Sequence, residues 1–368
     1  MKTKRFFYFL LPFICLVTSL QAKDLSPQEF VTKYLKNVLK TADTFSSPKL
    51  AVDDTNFYIY DFKECKINIY SRKNGQKTAS FGSKGSGVGQ FEYIDAVSPS
   101  KDTLFVSSRK KMSAFSLNGN PIKELLSKDP LSVYFPIENG FISERSEYSP
   151  TDKNKNVMAY YLLDKELNRI KVILKNEYKQ EPTGNNKKDP WLLYRPCRKG
   201  IVYDNKLFVG SSDQGLVFQV FDQQGKKLYD IKRDEPKIKF TDEYKNLVFK
   251  KIKALVGGEA GFKSLQETRD LVTPDYIPAY FNFFVDDGKI WVFKFASINE
   301  PDKIEILVFD LKGKLIASGK PPLGELSFRL EEKSMSFMYK GKLYIVFFTQ
   351  GKGTAINEVD LFSFLNNK

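Results

Sequence analysis

The sequence predicts an all-β chain folded as a six-bladed β-propeller, with an N-terminal helix and a helical insertion between blades 4 and 5. Three observations carry that prediction: a strand signature that recurs six times, apolar strands flanking each copy, and a length of 368 residues that six such units fill.

The signature is a turn-forming cluster leading into an aromatic or β-branched strand. It reads NFYIYD (56–61), DTLFVSS (102–108), NGFISE (139–144), NKLFVG (205–210), GKIWVF (288–293) and GKLYIV (341–346). Such residues fit the half-buried, pleated surface of a sheet. A second apolar strand follows most copies and closes on a short turn, as in INIYSRKNGQ and MSAFSLNGNP. There Asn74-Gly75 and Asn118-Gly119 supply the positive φ of a tight hairpin. Another strand precedes each copy, for example LAVDD (50–54) and FNFFVDD (281–287). Four-stranded units repeated at about 40 to 45 residues are propeller blades, which leave only short, protected edges. The inner strands are expected near residues 50, 95, 135, 201, 283 and 337. The sixth blade lacks an outer strand of its own, and residues 44–52 are the expected supplier, so the two chain ends would close the ring.

The first 22 residues read as a secretory signal peptide: Lys2, Lys4 and Arg5, an apolar run from Phe6 to Val17, then small and polar residues up to Ala22. The run is shorter than the roughly 20 residues a spanning helix needs, and it contains Pro12. Export to the periplasm, cell surface or medium is the expectation, with no integral membrane segment after cleavage. Residues 23–45 read as the helix: Ser26 caps, Pro27 suits the first position, Glu29 completes a capping box, and Phe30, Tyr34 and Val38 with Val31, Leu35 and Leu39 form an apolar stripe. The propeller takes residues 46–368. Its helical insertion spans about 240–273, with one helix capped by Thr241 and ended by Gly257-Gly258, and a second from Phe262 to Val272.

Loss of the leader lowers the formal net charge from +14 to +11. The remaining charge favours acidic or polyanionic partners, and export argues against nucleic acid. Cys65 and Cys197 fall in distant parts of the ring, beyond the roughly 7 Å Cα separation a disulfide tolerates. Histidine is absent from the chain. That removes histidine-based nucleophilic triads, histidine general bases and histidine-ligated transition metals. No catalytic residue, metal ligand or cofactor site is assigned.

The segment FGSKGSGVGQFEYIDAVS (81–98) resembles the junction between blades in NHL-repeat and related six-bladed propellers of the TolB-like class. Gly85, Gly87, Gly89 and Phe91 stand where that family has a glycine-rich stretch ending in Gly-x-Phe. Ile94 replaces its usual proline, and Ser107-Ser108 its usual aspartate. The resemblance implies the fold. GSKGSGVGQ is not a phosphate loop, because it lacks the GK[ST] ending and opens a strand.

Three functions remain open. The first is a non-catalytic binding or scaffolding propeller. The connections between second and third strands and between blades share one end of the ring, and every long loop falls there, on a face where function usually sits. The second is a hydrolase resembling calcium-dependent lactonases built on six-bladed propellers, in which Asp53, Asp54, Asp204, Asp286 and Asp287 would stand for the carboxylates that reach a central ion. The third is a binder of acidic glycan or lipopolysaccharide through Lys84, Arg109, Lys110, Lys111, Lys187, Lys188, Arg195 and Arg198 on the long-loop face.

Overall fold

The computed structural model describes residues 26–128, 133–152, 155–179, 189–323, 336–349 and 353–366. Five four-stranded antiparallel meanders follow one another along the chain: Pro48–Val52 to Lys77–Phe81, Ala96–Ser100 to Pro121–Leu126, Val133–Ile137 to Arg169–Lys179, Arg198–Tyr203 to Lys227–Arg233, and Asn282–Asp286 to Leu315–Gly319. The sixth blade is Ser336–Tyr339, Lys342–Thr349 and Gly353–Val359, completed by Leu35–Thr41. The chain is a six-bladed β-propeller, and each inner strand begins within a few residues of its expected place.

The N-terminal segment departs from the expected helix over 23–45. Helix α1 covers Pro27–Tyr34 and opens on the anticipated capping box: Ser26 Oγ accepts from Glu29 N at 3.3 Å, and Glu29 Oε2 accepts from Ser26 N at 2.9 Å. It ends at Tyr34, and Leu35–Thr41 runs antiparallel to Gly353–Val359, with Leu35 opposite Val359 and Thr41 opposite Thr354. Helical spacing of Val38 and Leu39 is real, but Asn, Val and Thr are weak helix formers. The open edge of the sixth blade offers them a ladder instead. The outer strand therefore comes from 35–41, whereas Pro48–Val52 is the inner strand of the first blade.

Residues 42–47 link these strands, and Asp61 holds the link. Its carboxylate accepts from the backbone N–H groups of Ser46 (2.6 Å), Ser47, Lys63 and Glu64 (2.9 Å each). Burial works against its charge, but those four donors outweigh burial and hold the carboxyl below its ordinary pKa.

Apolar residues pack between blades. Tyr58, Ile67 and Ile69 of blade 1 meet Leu104, Val106 and Phe115 of blade 2, while Phe208, Phe218 and Val220 of blade 4 meet Phe283, Val292 and Phe309 of blade 5. Each large side chain so buried contributes on the order of 1.5–3 kcal/mol, so the many aromatics are accounted for by blade packing. Both cysteines are buried free thiols within these clusters.

The two ends of the ring differ. At one end hairpins are tight: Asp204 and Asn205 sit at φ 49° and 53°, the turn geometry that matches strand twist. Asp164, Asp222 and Asp310 each accept two turn N–H groups at 2.8–2.9 Å. The insertion rises at the other end, as helix α2 (Asp242–Leu255) and helix α3 (Glu259–Thr268). The second insertion helix thus starts earlier than expected and stops sooner. Arg269–Val272 is extended and pairs in parallel with Asp189–Leu192, because that strand offers a partner four residues long. Helix α4 (Leu361–Asn366) leaves the short-turn end of blade 6 and meets α1, with Phe364 5.2 Å from Phe30 and 5.4 Å from Tyr34 between ring centroids.

Candidate functional site

Strand direction puts the second-to-third-strand loops and the inter-blade junctions on one face, and the long segments collect there. The cations expected on this face fall at two seams. At the seam of blades 1 and 2, Lys84, Arg109 and Lys110 are exposed. Arg109 lies over the Tyr93 ring at 4.6 Å, Tyr93 stacks on Phe62 at 5.1 Å, and Lys49 lies over Phe62 at 4.9 Å. Lys111 is turned inward and is only 8 % exposed. Its ammonium donates to Gly87 O (2.8 Å) and Gln90 O (2.9 Å) and pairs with Glu124 at 2.7 Å. It therefore clamps the glycine-rich junction rather than facing solvent.

At the seam of blades 3 and 4, Arg195 is exposed, while Arg198 stacks on Tyr178 at 4.3 Å and pairs with Asp213 at 2.7 Å. Burial pushes the Asp213 carboxyl up, but the Ser211 hydroxyl and Arg198 outweigh it and leave it below its usual range. Lys187 and Lys188 lie outside the described residues. The six described cations are thus divided between two seams, and two of them, Lys111 and Arg198, are paired with Glu124 and Asp213.

A cleft of about 650 Å³ opens between blades 4 and 5, lined by the segments that flank the insertion, 233–238 and 274–279. Its floor is apolar, with Leu192, Ile238, Ile277, Ala279 and Phe295, and Pro196, Pro236, Pro274 and Pro278 stiffen its margins. Tyr276 and Ile238 are 51 % and 45 % exposed at its edge. The insertion is fixed by its own apolar cluster, in which Tyr244, Val248, Ile252 and Phe262 pack with Leu193 and Tyr194. Inside the cleft Lys294 pairs with Glu235 at 2.7 Å and Glu305 at 3.0 Å. Burial opposes its charge, but the two glutamates outweigh burial and raise its pKa above the ordinary lysine value. Arg233 in turn pairs with Glu235 at 3.2 Å. Arg233, Glu235, Lys294 and Glu305 thus neutralise one another, and the space is of the size that takes small molecules or a short chain segment.

None of these cleft residues stood out in the sequence. The signal that could have found them is the run of prolines at 236, 274 and 278 bracketing the insertion, where the backbone must leave the blades in fixed extended turns.

The acidic residues considered for a hydrolase lie on the short-turn face. Asp53 Oδ1 accepts from Thr55 N and Asn56 N at 2.7 Å each, Asp54 pairs with Lys340, Asp204 with Lys206 at 2.9 Å and Asp287 with Lys289 at 2.8 Å. Asp286 is driven up in pKa by burial and accepts the Gly341 N–H at 2.8 Å, joining blade 5 to blade 6. Among the described residues no group of three Cys, Asp or Glu side chains converges closely enough to hold a metal ion.

Compared by sequence, the chain matches no family model and no curated protein. Its fold is similar to that of a candidate exported protein from Bacteroides fragilis, at 10% identity over 92% of this chain and 97% of that one, with a TM-score of 0.52. A member of the DUF4221 family from Bacteroides vulgatus aligns at 12% identity over 89% and 94% of the two chains, with a TM-score of 0.44. The first likeness supports the six-bladed ring and nothing finer. No described helix is long and apolar enough to cross a membrane.

Proposed function

We propose that this chain is an exported, non-catalytic binding propeller and that its ligand site is the cleft between blades 4 and 5 at the base of the helical insertion. The cleft itself carries the reading: about 650 Å³ lined by both apolar and charged side chains, at the place where the chain leaves the ring for the insertion and returns to it. Three other cavities, of about 10, 190 and 100 Å³, are smaller. Export rests on the leader over residues 1–22 and on the description of the Bacteroides fragilis neighbour. Membership of the NHL-like class rests on the glycine-rich junction, where Phe91 is buried against Phe115. The test replaces residues 238–277 by a short glycine–serine linker. The ring of this variant should still unfold cooperatively by calorimetry, while ligands found by thermal-shift screening of the intact chain should no longer stabilise it. Ligands that stabilise both proteins equally would place the site elsewhere. N-terminal sequencing of the secreted chain should begin at Lys23.

A further inference from the structure

The long-loop face holds more than one cavity, and two of them adjoin. The 650 Å³ cleft and the 100 Å³ cavity beside it share Ile238, Ile277, Lys294, Phe295 and Glu305 as a common wall. The second runs on past Ser297 to Glu300, Lys303 and Lys320, where Glu300 pairs with Lys303 at 3.1 Å and with Lys320 at 2.5 Å.

Charge narrows the chemistry. The two cavities are lined by Asp213, Asp234, Glu235, Asp275, Glu300 and Glu305 against Lys179, Arg233, Lys237, Lys294, Lys303 and Lys320, six of each sign. A balanced wall neither attracts a polyanion nor rejects a neutral chain. Extended backbone is also present at the edge: Ile238–Lys239 and Tyr276–Ile277 form a ladder only two residue pairs long. Ile238 and Tyr276 on that ladder are the half-exposed apolar side chains that an occupant with its own apolar groups would cover. A further strand laid beside such a ribbon gains main-chain hydrogen bonds, and pockets for alternate side chains then give selectivity.

We infer that the trough receives an extended, near-neutral peptide segment of a partner protein, anchored by one or two apolar side chains against Ile238, Ile277 and Phe295. The inference rests on the cleft being the ligand site and adds the class of ligand.

Two probes separate the two statements. A phage-displayed library of random heptapeptides, selected on the intact chain, tests the ligand class. The free compound p-cresol, which mimics one aromatic side chain, tests the cleft through the methyl NMR signals of Ile238 and Ile277. Enriched peptides should share apolar residues at alternate positions, should bind with little salt dependence, and should lose tenfold or more in affinity with Ile238→Glu and with Tyr276→Ala. Both positions are half-exposed, so both variants should fold; matching thermal melts would confirm it. Peptides rich in acidic residues whose binding vanishes with salt would overturn the inference in favour of charge recognition. Peptides that bind Ile238→Glu as well as the intact chain would overturn it by location. If p-cresol shifts the two isoleucine signals but no peptide enriches above an unrelated protein, the peptide class is lost while the cleft stands. If neither probe binds, both fall.

Discussion

The two faces of the ring use the same residue types to opposite ends. On the short-turn face an aspartate sits at a hairpin and accepts the amides beside it, as Asp53, Asp222 and Asp310 do. On the long-loop face Asp95 is driven up to about 6 by burial, which Lys49 and Arg109 only partly offset, and its Oδ2 has no hydrogen-bond partner among the described residues. Basic residues divide in the same way. Lys206 and Lys289 pair with the turn aspartate two residues before each of them, whereas Lys111 and Lys294 reach across loops to hold junctions in place. The short-turn face combines contacts within a hairpin with a few that join neighbouring blades, Asp54 with Lys340 and Asp286 with Gly341. On the long-loop face Lys111 and Lys294 hold longer segments together, which is where a binding surface can be built.

The largest effect is expected at the seam where both chain ends meet. A chain beginning at Ala42 lacks the strand that pairs with Gly353–Val359 and the α1 residues that cover Phe364. The expected loss is of the order of the whole net stability of a domain, roughly 5–15 kcal/mol. Circular dichroism and calorimetry should show no cooperative transition. A melting point within a few degrees of the intact chain would mean that the ring closes without its outer strand.

This seam also shows what local sequence can and cannot carry. The capping box at Ser26 and Glu29 is a contact between residues three apart, and the structure forms it where the sequence places it. The helix end is not local. Leu35, Val38 and Leu39 suit either a helical stripe or a strand, and the choice is made by an edge more than 300 residues away. Blade strands were legible for the opposite reason: Asn74-Gly75 and Asn118-Gly119 fix hairpins within ten residues, and six similar units confirm one another. The cleft was not legible, because Glu235, Lys294 and Glu305 become a site only when the junction folds back over blade 5.

A second, smaller effect tests the buried carboxylate. Asp95 holds its proton more tightly in the folded chain than a free aspartate, whose pKa is about 3.9. Between those two values the folded state binds more protons than the unfolded one, so stability falls as pH rises from about 4 to about 6 and is flat above. At about 1.4 kcal/mol per unit, reduced for partial exposure, the loss is about 2 kcal/mol. Asp95→Asn should therefore stabilise the chain by about that amount at pH 7.5 and by almost nothing at pH 4, measured by urea unfolding at both pH values. Equal effects at the two pH values would show that the carboxylate is not desolvated as described.

The smallest expected effect separates neighbours in one tripeptide. Arg109 and Lys110 are exposed, whereas Lys111 is enclosed by Gly87, Gln90 and Glu124. The strand that starts at Lys111 explains the split, since its side chain is the first to be set by the pleat rather than by the turn. Exposed single charges contribute little to folding. The double substitution Arg109→Ala, Lys110→Ala should change unfolding free energy by less than about 0.5 kcal/mol. Lys111→Ala removes the donor to the Gly87 and Gln90 carbonyls and the counter-charge of Glu124, which keeps the Gly89 N–H and the Ser113 hydroxyl, and should cost about 2–3 kcal/mol. Chromatography on immobilised heparin then reads function rather than stability. If the double variant elutes earlier than the intact chain at low salt and the difference vanishes as salt screens it, the rim at Lys84, Arg109 and Lys110 holds anionic polymer alongside the cleft. If the two proteins elute together, these cations are ordinary solvated surface, and the acidic-glycan reading is lost at that seam.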